Sequence, residues 1–315
     1  MKRGLIGVAL ALALGVGGAQ AQDRMTQPLC DAGPGAVFGL VGQDVPEIIG
    51  QPRVDEAGWC VLEAVQVFEG SFNAVIDRLR WRGADMARLV DAGLPPRSLD
   101  LEMVGLRQQP KVDYDPLYSY LIGVQLHRNA IDATLTVRWD GVQKALILDR
   151  LAIDFPGENR VEASARLDGI DLTDTGTMQM SIGTVALSDL DLLVESNGLF
   201  EDFLLFPLGF TLLEHGDTPP EVQVRWWIGQ AQRLVAGLSD ELLPPRSKAA
   251  LSALLDEMPM PSGILRLTLD TAEPLGVMRV LLAAGDEPDP AVLIDTVLAG
   301  ATLIADWQPT PERAR

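Results

Sequence analysis

The sequence predicts an α+β fold: a curved antiparallel β-sheet, wound as a meander, with short helices packed at one face or at the ends. Three observations carry that expectation. Apolar and polar residues alternate in short runs, as they do in strands buried on one side only. Hairpin signals such as Asp140-Gly141 separate those runs. Helix starts and stops, such as Asp115-Pro116, Asp289-Pro290 and Gly93, punctuate the sheet rather than alternating regularly with its strands. The composition supports a real core, since 47% of the 315 residues are hydrophobic and 22% charged.

The clearest strand is Ile131 to Trp139. There Ile131, Ala133, Leu135, Val137 and Trp139 point to one face, and Asp132, Thr134, Thr136 and Arg138 to the other. Asp140-Gly141 predicts a two-residue type I′ turn, because both residues tolerate positive φ. The return strand covers Lys144 to Phe155, with a change of phase near Asp149-Arg150 that reads as a bulge. Pro156-Gly157-Glu158-Asn159 turns the chain into a third strand with Val161, Ala163, Ala165 and Leu167 on one side. A turn at Asp174-Thr175-Gly176 leads to a fourth through Met178, Met180 and Ile182.

Helices are expected from Ala84 to Ala92, closed by Gly93, and from Asp115-Pro116 towards Arg128. Two more lie between Gln230 and Met258, split by Pro244-Pro245, with Leu251, Leu254, Leu255 and Met258 at helical spacing. Leu265, Leu267 and Leu269 then alternate in a strand. A helix from Asp289-Pro290, stopped by Gly300, precedes a last strand from Ala301 to Trp307.

The domain plan is a signal peptide over residues 1–21, an N-terminal arm over 22–58 and a single α+β domain over 59–315. The leader has a basic start (Lys2, Arg3), an apolar run from Leu5 to Val16 and the small-residue tripeptide Ala19-Gln20-Ala21, so export to the periplasm with cleavage after Ala21 is expected. An exported chain with two cysteines predicts a Cys30–Cys60 disulfide. The ring it closes holds Gly33-Pro34-Gly35, Pro46 and Gln51-Pro52, turn-formers with weak patterning that need a staple. Downstream, charges and prolines interrupt every hydrophobic run, so no integral span is expected in the mature chain.

Charge and counting exclude several functions. A net charge of -19 repels phosphate backbones, so nucleic acid is not expected as a partner. With two cysteines and two histidines, His127 and His215, zinc clusters are excluded. Gly-x-Ser-x-Gly is absent, and no phosphate-cradling loop is found downstream of the leader. Asp168, Asp171 and Asp174 recur every third residue, but their order does not match a calcium loop and reads as solvated residues around a turn. No catalytic residue, cofactor or metal is assigned.

Two surfaces stand out. Arg78, Arg80 and Arg82 alternate with Leu79 and Trp81, forming a candidate anion patch, with pairing to Asp and Glu as the commoner use in so acidic a chain. Phe200, Phe203, Phe206 and Phe210 recur at helical spacing, followed by Trp226-Trp227; this is a candidate apolar-ligand or partner surface. The same spacing also fits a helix packed on the sheet, and Pro207-Leu208-Gly209 is expected to end that helix and leave Phe210 on a separate element.

From Ile131 to Val194, and above all in LILDRLAIDFPG (Leu146 to Gly157) followed by LDGIDL (Leu167 to Leu172), the chain resembles the AsmA-like and related uncharacterised cell-envelope families of proteobacteria. The cadence continues through Leu187 to Leu199. The resemblance implies a curved sheet whose concave apolar face receives lipid chains, in proteins of envelope maintenance or lipid traffic. The chain departs from those families in being shorter, with a leader that looks cleavable. Three functions stay open: a non-enzymatic envelope protein that binds an apolar or lipidic ligand or supports envelope assembly, a protein-protein interaction module without a small ligand, and a carboxylate-based hydrolase. The expected partners are accordingly a lipid or an envelope protein.

Overall fold

The computed structural model describes residues 24–40, 47–69, 72–108, 129–213, 218–279 and 289–310. The leader, both histidines and the helix expected from Asp115-Pro116 to Arg128 lie outside them.

The strands are β1 (Glu47–Ile49), β2 (Arg53–Val54), β3 (Cys60–Glu69), β4 (Phe72–Arg82), β5 (Ser98–Gln108), β6 (Ile131–Asp140), β7 (Ala145–Phe155), β8 (Asn159–Asp168), β9 (Ala186–Asn197), β10 (Ser262–Gly276) and β11 (Ala301–Pro309). They form one 11-stranded antiparallel sheet that does not close, ordered β1, β3, β4 and so on to β11, with β2 pairing beside β1 on β3. From β3 onward each strand pairs with its neighbour in the chain, the meander that the turn signals predict.

Curvature comes from defects in register. The phase change expected near Asp149-Arg150 is a bulge that shifts β7 against both neighbours. Ala64 takes a positive φ of 51°, so Leu62 and Val65, three residues apart, reach the same core. Gly105, φ 75°, sits where a Cβ would strike the Asp77 carboxylate, and its N–H donates to Asp132 Oδ1 at 2.7 Å.

The described helices are α1 (Gln27–Leu40), α2 (Ala87–Ala92), α3 (Thr175–Ser181), α4 (Leu205–Leu212), α5 (Pro220–Gly237), α6 (Pro245–Asp256) and α7 (Pro290–Val297), with a π-helical turn over Phe200–Leu204 leading into α4. Gly93 stops α2 in the left-handed conformation, as expected.

The N-terminal arm is more ordered than its turn-formers suggest. It holds α1, with Pro34 inside the helix, and adds β1 and β2 to the sheet edge. Packing overrides local propensity here: Gly33 brings α1 so close to Trp81 that a Cβ would lie 3.2 Å from the indole. The predicted Cys30–Cys60 disulfide pins α1 to β3, with Cα atoms 5.3 Å apart and both cysteines fully buried.

Three local expectations are corrected. The Met178, Met180, Ile182 run is not a strand but α3 and a 3₁₀ turn, and the fourth meander strand is β9, starting at Ala186. Asp174 starts α3 by accepting from Thr177 N–H at 2.9 Å, while Thr177 Oγ1 accepts from Asp174 N–H, a reciprocal cap that outweighs the alternation. The Asp140-Gly141 hairpin has a four-residue loop rather than a type I′ turn. Asp140 Oδ1 accepts from the N–H groups of Val142 and Gln143, and Lys144 takes the positive φ. Finally, α4 runs through Pro207 and Gly209, so Phe206 and Phe210 share one helix. The helical run is continuous from Leu199 through the π-helical turn into α4, and the proline sits just beyond that local distortion of the helix.

Candidate functional site

The register aligns apolar side chains right across the sheet, because residues directly opposite in a ladder share a face. One row runs Trp81, Leu101, Leu135, Leu151, Ala163, Leu192, Leu267, Ala305 from β4 to β11. The next runs Leu79, Met103, Ala133, Ile153, Val161, Val194, Leu265, Trp307. On the other side lie Leu99, Val137, Leu148, Ala165, Leu190, Leu269, Leu303 and, shorter, Trp139, Leu146, Leu167, Leu187, Leu275. No polar residue interrupts these four rows.

The opposite face is polar. Arg80 pairs with Glu102 at 2.5 Å, Arg82 with Asp100 at 3.1 Å, Arg138 with Asp149 at 2.8 Å and Arg150 with Glu162 at 3.1 Å. The Glu162 carboxyl is held below its usual range, chiefly by its hydrogen bond from Arg160. The candidate anion patch belongs to this face. Both Arg80 and Arg82 also lie 4.4 Å from the ring centre of Trp59, so their charge is used internally.

The aspartate series has separate tasks. Asp168 accepts from Arg166 and from the Ser188 hydroxyl, and Asp174 caps α3. Asp171 is lowered to about 2 by the Thr173 hydroxyl, then by Lys144, whose Nζ lies 3.0 Å away. Among the described residues no group of histidine, cysteine and carboxylate side chains is arranged to hold a metal, and the fully buried polar residues are Asn159, Ser181, Ser196 and Ser247 rather than carboxylates.

Among the described residues, helices cover the apolar face only at its two ends. At one, α1 and α2 bury Leu62, Val65, Ile76 and Trp81 with Met25, Cys30, Met86 and Leu89. At the other, the α5–α6 connection, through Leu238, Leu242 and Leu243, buries Leu269, Leu275 and Ala301, with Leu251 of α6 and Ile294 of α7 packed alongside. That connection and α6 also cap the last strand: Leu303 N–H donates to Leu242 O at 2.7 Å and Ala305 N–H to Ser247 Oγ at 3.0 Å. Between the ends, the residues that β6, β7 and β8 contribute to these rows belong to neither core and are only half-buried.

Two rims bound this central strip. At one, Trp139 Nε1 donates to Ile170 O at 2.9 Å, Arg88 donates to Leu172 O, and Ile170 and Leu172 are buried. A cavity of about 760 Å³ opens there, lined by Arg88, Arg97, Arg138 and Trp139 among others. At the opposite rim, buried Asn159 donates to Pro156 O at 2.6 Å and accepts from Asn197 N–H at 2.5 Å, fixing the turns that end β7 and β9. From there the chain enters the aromatic segment.

That segment divides. Phe203 packs on Phe155, the last residue of β7, with ring centres 4.9 Å apart, while Phe200 stays half-buried beside it. Phe206 and Phe210 meet edge to face at 4.7 Å but point outward, 73% and 65% exposed, so the expected packing of this helix onto the sheet holds only for its first turn. Trp226 and Trp227 on α5 are also exposed, and Trp227 Nε1 donates to Leu212 O at 2.9 Å, tying α5 to the end of α4. The cross-strand rows, Phe155 and Trp139 were not singled out from sequence. Alternation assigns residues to a face, but only the register shows that the faces align.

No family model matches the chain, and no curated protein matches it.

Proposed function

We propose that this protein is an envelope protein that binds an amphiphilic, lipid-like ligand along the half-buried apolar strip of β6, β7 and β8. The single observation that carries the reading is the alignment of four uninterrupted apolar rows whose central part neither core covers. A soluble sheet normally buries such a face under its own helices. Here the described helices stand at the two ends, and the middle offers a bed for a ligand.

The dimensions suit an acyl chain. From Leu146 to Phe155 the strip extends roughly 30 Å along β7, while one leaflet's chains span about half of a ~30 Å hydrocarbon core. Each buried methylene contributes about 0.8 kcal/mol, so a single chain supplies ample driving force. The arginine-lined cavity beside Trp139 gives the ligand's polar end a place at one rim. Export through the leader puts the protein in the compartment where such a ligand crosses between membranes.

The test is mass spectrometry of an organic extract of the protein purified under non-denaturing conditions. A lipid at near one equivalent is expected, and Leu151→Asn together with Ala163→Asn should remove it while the protein stays folded. Protein free of lipid, and unable to take up a fluorescent fatty acid in titration, would overturn the reading.

A further inference from the structure

The hairpin of α4 and α5 is built unlike the rest of the surface. From Phe203 to Leu213 the sequence FLLFPLGFTLL holds no charged residue, although 22% of the chain is charged. Phe206, Phe210 and Trp226 are each more than half exposed, and Val222, one turn before Trp226, is 43% exposed. Soluble surfaces rarely leave so many large apolar side chains of neighbouring elements open to water, and those that do mark an interaction site.

Charge and chemistry together say what covers it. The whole chain carries -19, yet α5 holds Arg225 and Arg233 against Glu221, and α4 holds no charge. The patch itself is uncharged, but Glu201, Asp202, Glu214 and Asp217 flank it in sequence, so an anionic lipid surface is disfavoured and a zwitterionic one fits. Mixed Phe, Leu and Trp is the composition of segments that settle at the headgroup boundary of a bilayer. An eight-residue α4 spans about 12 Å, and among the described residues no helix is long and apolar enough to cross a membrane. A helix of that length suits the interface plane rather than a span. It is also continuous with the apolar face, because Phe203 packs on Phe155 at the rim.

We infer that the α4–α5 hairpin is a membrane-docking surface that inserts Phe206, Phe210 and Trp226 into the interface of a bilayer with zwitterionic headgroups. Docking there sets the open rim of the sheet against the lipid. The inference rests on the amphiphile-binding reading for its purpose, the exchange of that ligand with the membrane, whereas the docking itself is measured separately.

The intact chain is mixed with phosphatidylcholine vesicles, with and without bromine-substituted acyl chains, and tryptophan emission is followed alongside co-flotation. Trp59, Trp81 and Trp307 are buried and Trp139 is half-buried, so Trp226 and Trp227 are the most exposed of the six tryptophans. Expected are flotation that persists in high salt, quenching by brominated chains, and weaker flotation with phosphatidylglycerol vesicles. Phe206→Ser with Phe210→Ser should weaken flotation at least tenfold while leaving the circular dichroism and urea midpoint unchanged. Trp226→Ala should remove most of the quenching. Leu151→Asn, which empties the sheet, should leave flotation intact, so loss of ligand and loss of docking are told apart. Three results would each overturn the inference: no flotation on phosphatidylcholine, flotation indifferent to the two serine substitutions, or a dimer in sedimentation equilibrium that those substitutions convert to monomer.

Discussion

Leu151 and Leu62 offer a direct measure of whether the middle of the apolar face is open. Leu62 is 2% exposed beneath α1 and α2, surrounded by Cys30, Cys60, Val65 and Trp81. Truncating it to alanine removes buried methyl groups and leaves a cavity that the disulfide-pinned helix cannot collapse into, so Leu62→Ala should cost about 3 to 4 kcal/mol, within the range of core leucines. Leu151 sits in the central row between Leu135 and Ala163, half-buried, with no place in either core. Its truncation exposes no closed cavity, and only part of its transfer free energy was gained on folding. Leu151→Ala in ligand-free protein should therefore cost about 1 kcal/mol. The assay is equilibrium urea unfolding of delipidated protein, with the slope checked for constancy so that the midpoint reports stability. With ligand at a hundred times its dissociation constant, wild type should gain about 2.7 kcal/mol and Leu151→Asn should gain much less. A Leu151→Ala loss of 3 kcal/mol or more without ligand would show that the chain fills this face itself, and would refute the open strip.

Other consequences follow from single contacts. Replacing both Cys30 and Cys60 by alanine opens a ring with a sequence separation of 30, and the chain-entropy relation gives a loss of about 3.6 kcal/mol; equal urea midpoints for the variant and the oxidised wild type would contradict it, and thiol titration of unreduced wild type should find no free cysteine. Asn159→Ala removes a buried side chain whose Oδ1 accepts from Asn197 N–H at 2.5 Å and whose amide donates to Pro156 O, and should cost about 1 to 3 kcal/mol by thermal or urea unfolding. Asp171, with a pKa lowered from 3.8 to about 2 by the Thr173 hydroxyl and then Lys144, contributes stability that is present above the unfolded-state value and lost as pH falls through about 2. Asp171→Asn should accordingly flatten the stability profile between about pH 4 and 2, and a carboxyl resonance titrating near 3.8 in NMR would show the hydrogen bonds to be ineffective.

How much of this was legible in the residues depended on where water stood. The strands from Ile131 to Leu167 were readable because each has one wet side, and the bulge at Asp149-Arg150 announced itself as a break in that alternation. The α1 helix was not, since Gly33, Pro34 and Gly35 argue locally for turns and only contact with Trp81, distant in sequence, makes a helix worthwhile. The Met178 to Ile182 segment misled for the converse reason: its period of two is a strand pattern, but Met180 and Ile182 are 73% and 68% exposed, so no buried face enforces it. The aromatic run was visible as composition. Its division into a packed first turn and an outward second half was not, because that depends on Phe155 standing at the end of β7 to receive Phe203.

The charge of -19 acquires a structural meaning once the faces are separated. Several acidic residues on the polar face pair with cross-strand arginines, Glu102 with Arg80, Asp100 with Arg82 and Glu162 with Arg150, while Asp189 stands opposite Asp270, so that face does not invite an apolar partner. The aligned apolar rows lie on the other side of the sheet and continue into the uncharged α4 segment. A sheet with two such different faces resists a register slip, because moving any strand by one residue would carry leucines into the arginine ladder and carboxylates into the strip. The same one-sidedness that specifies the fold thus leaves an apolar path from the central strip, past Phe155 and Phe203, to Phe206 and Phe210. A ligand that leaves the sheet by that path stays in contact with apolar side chains until it reaches whatever the hairpin touches.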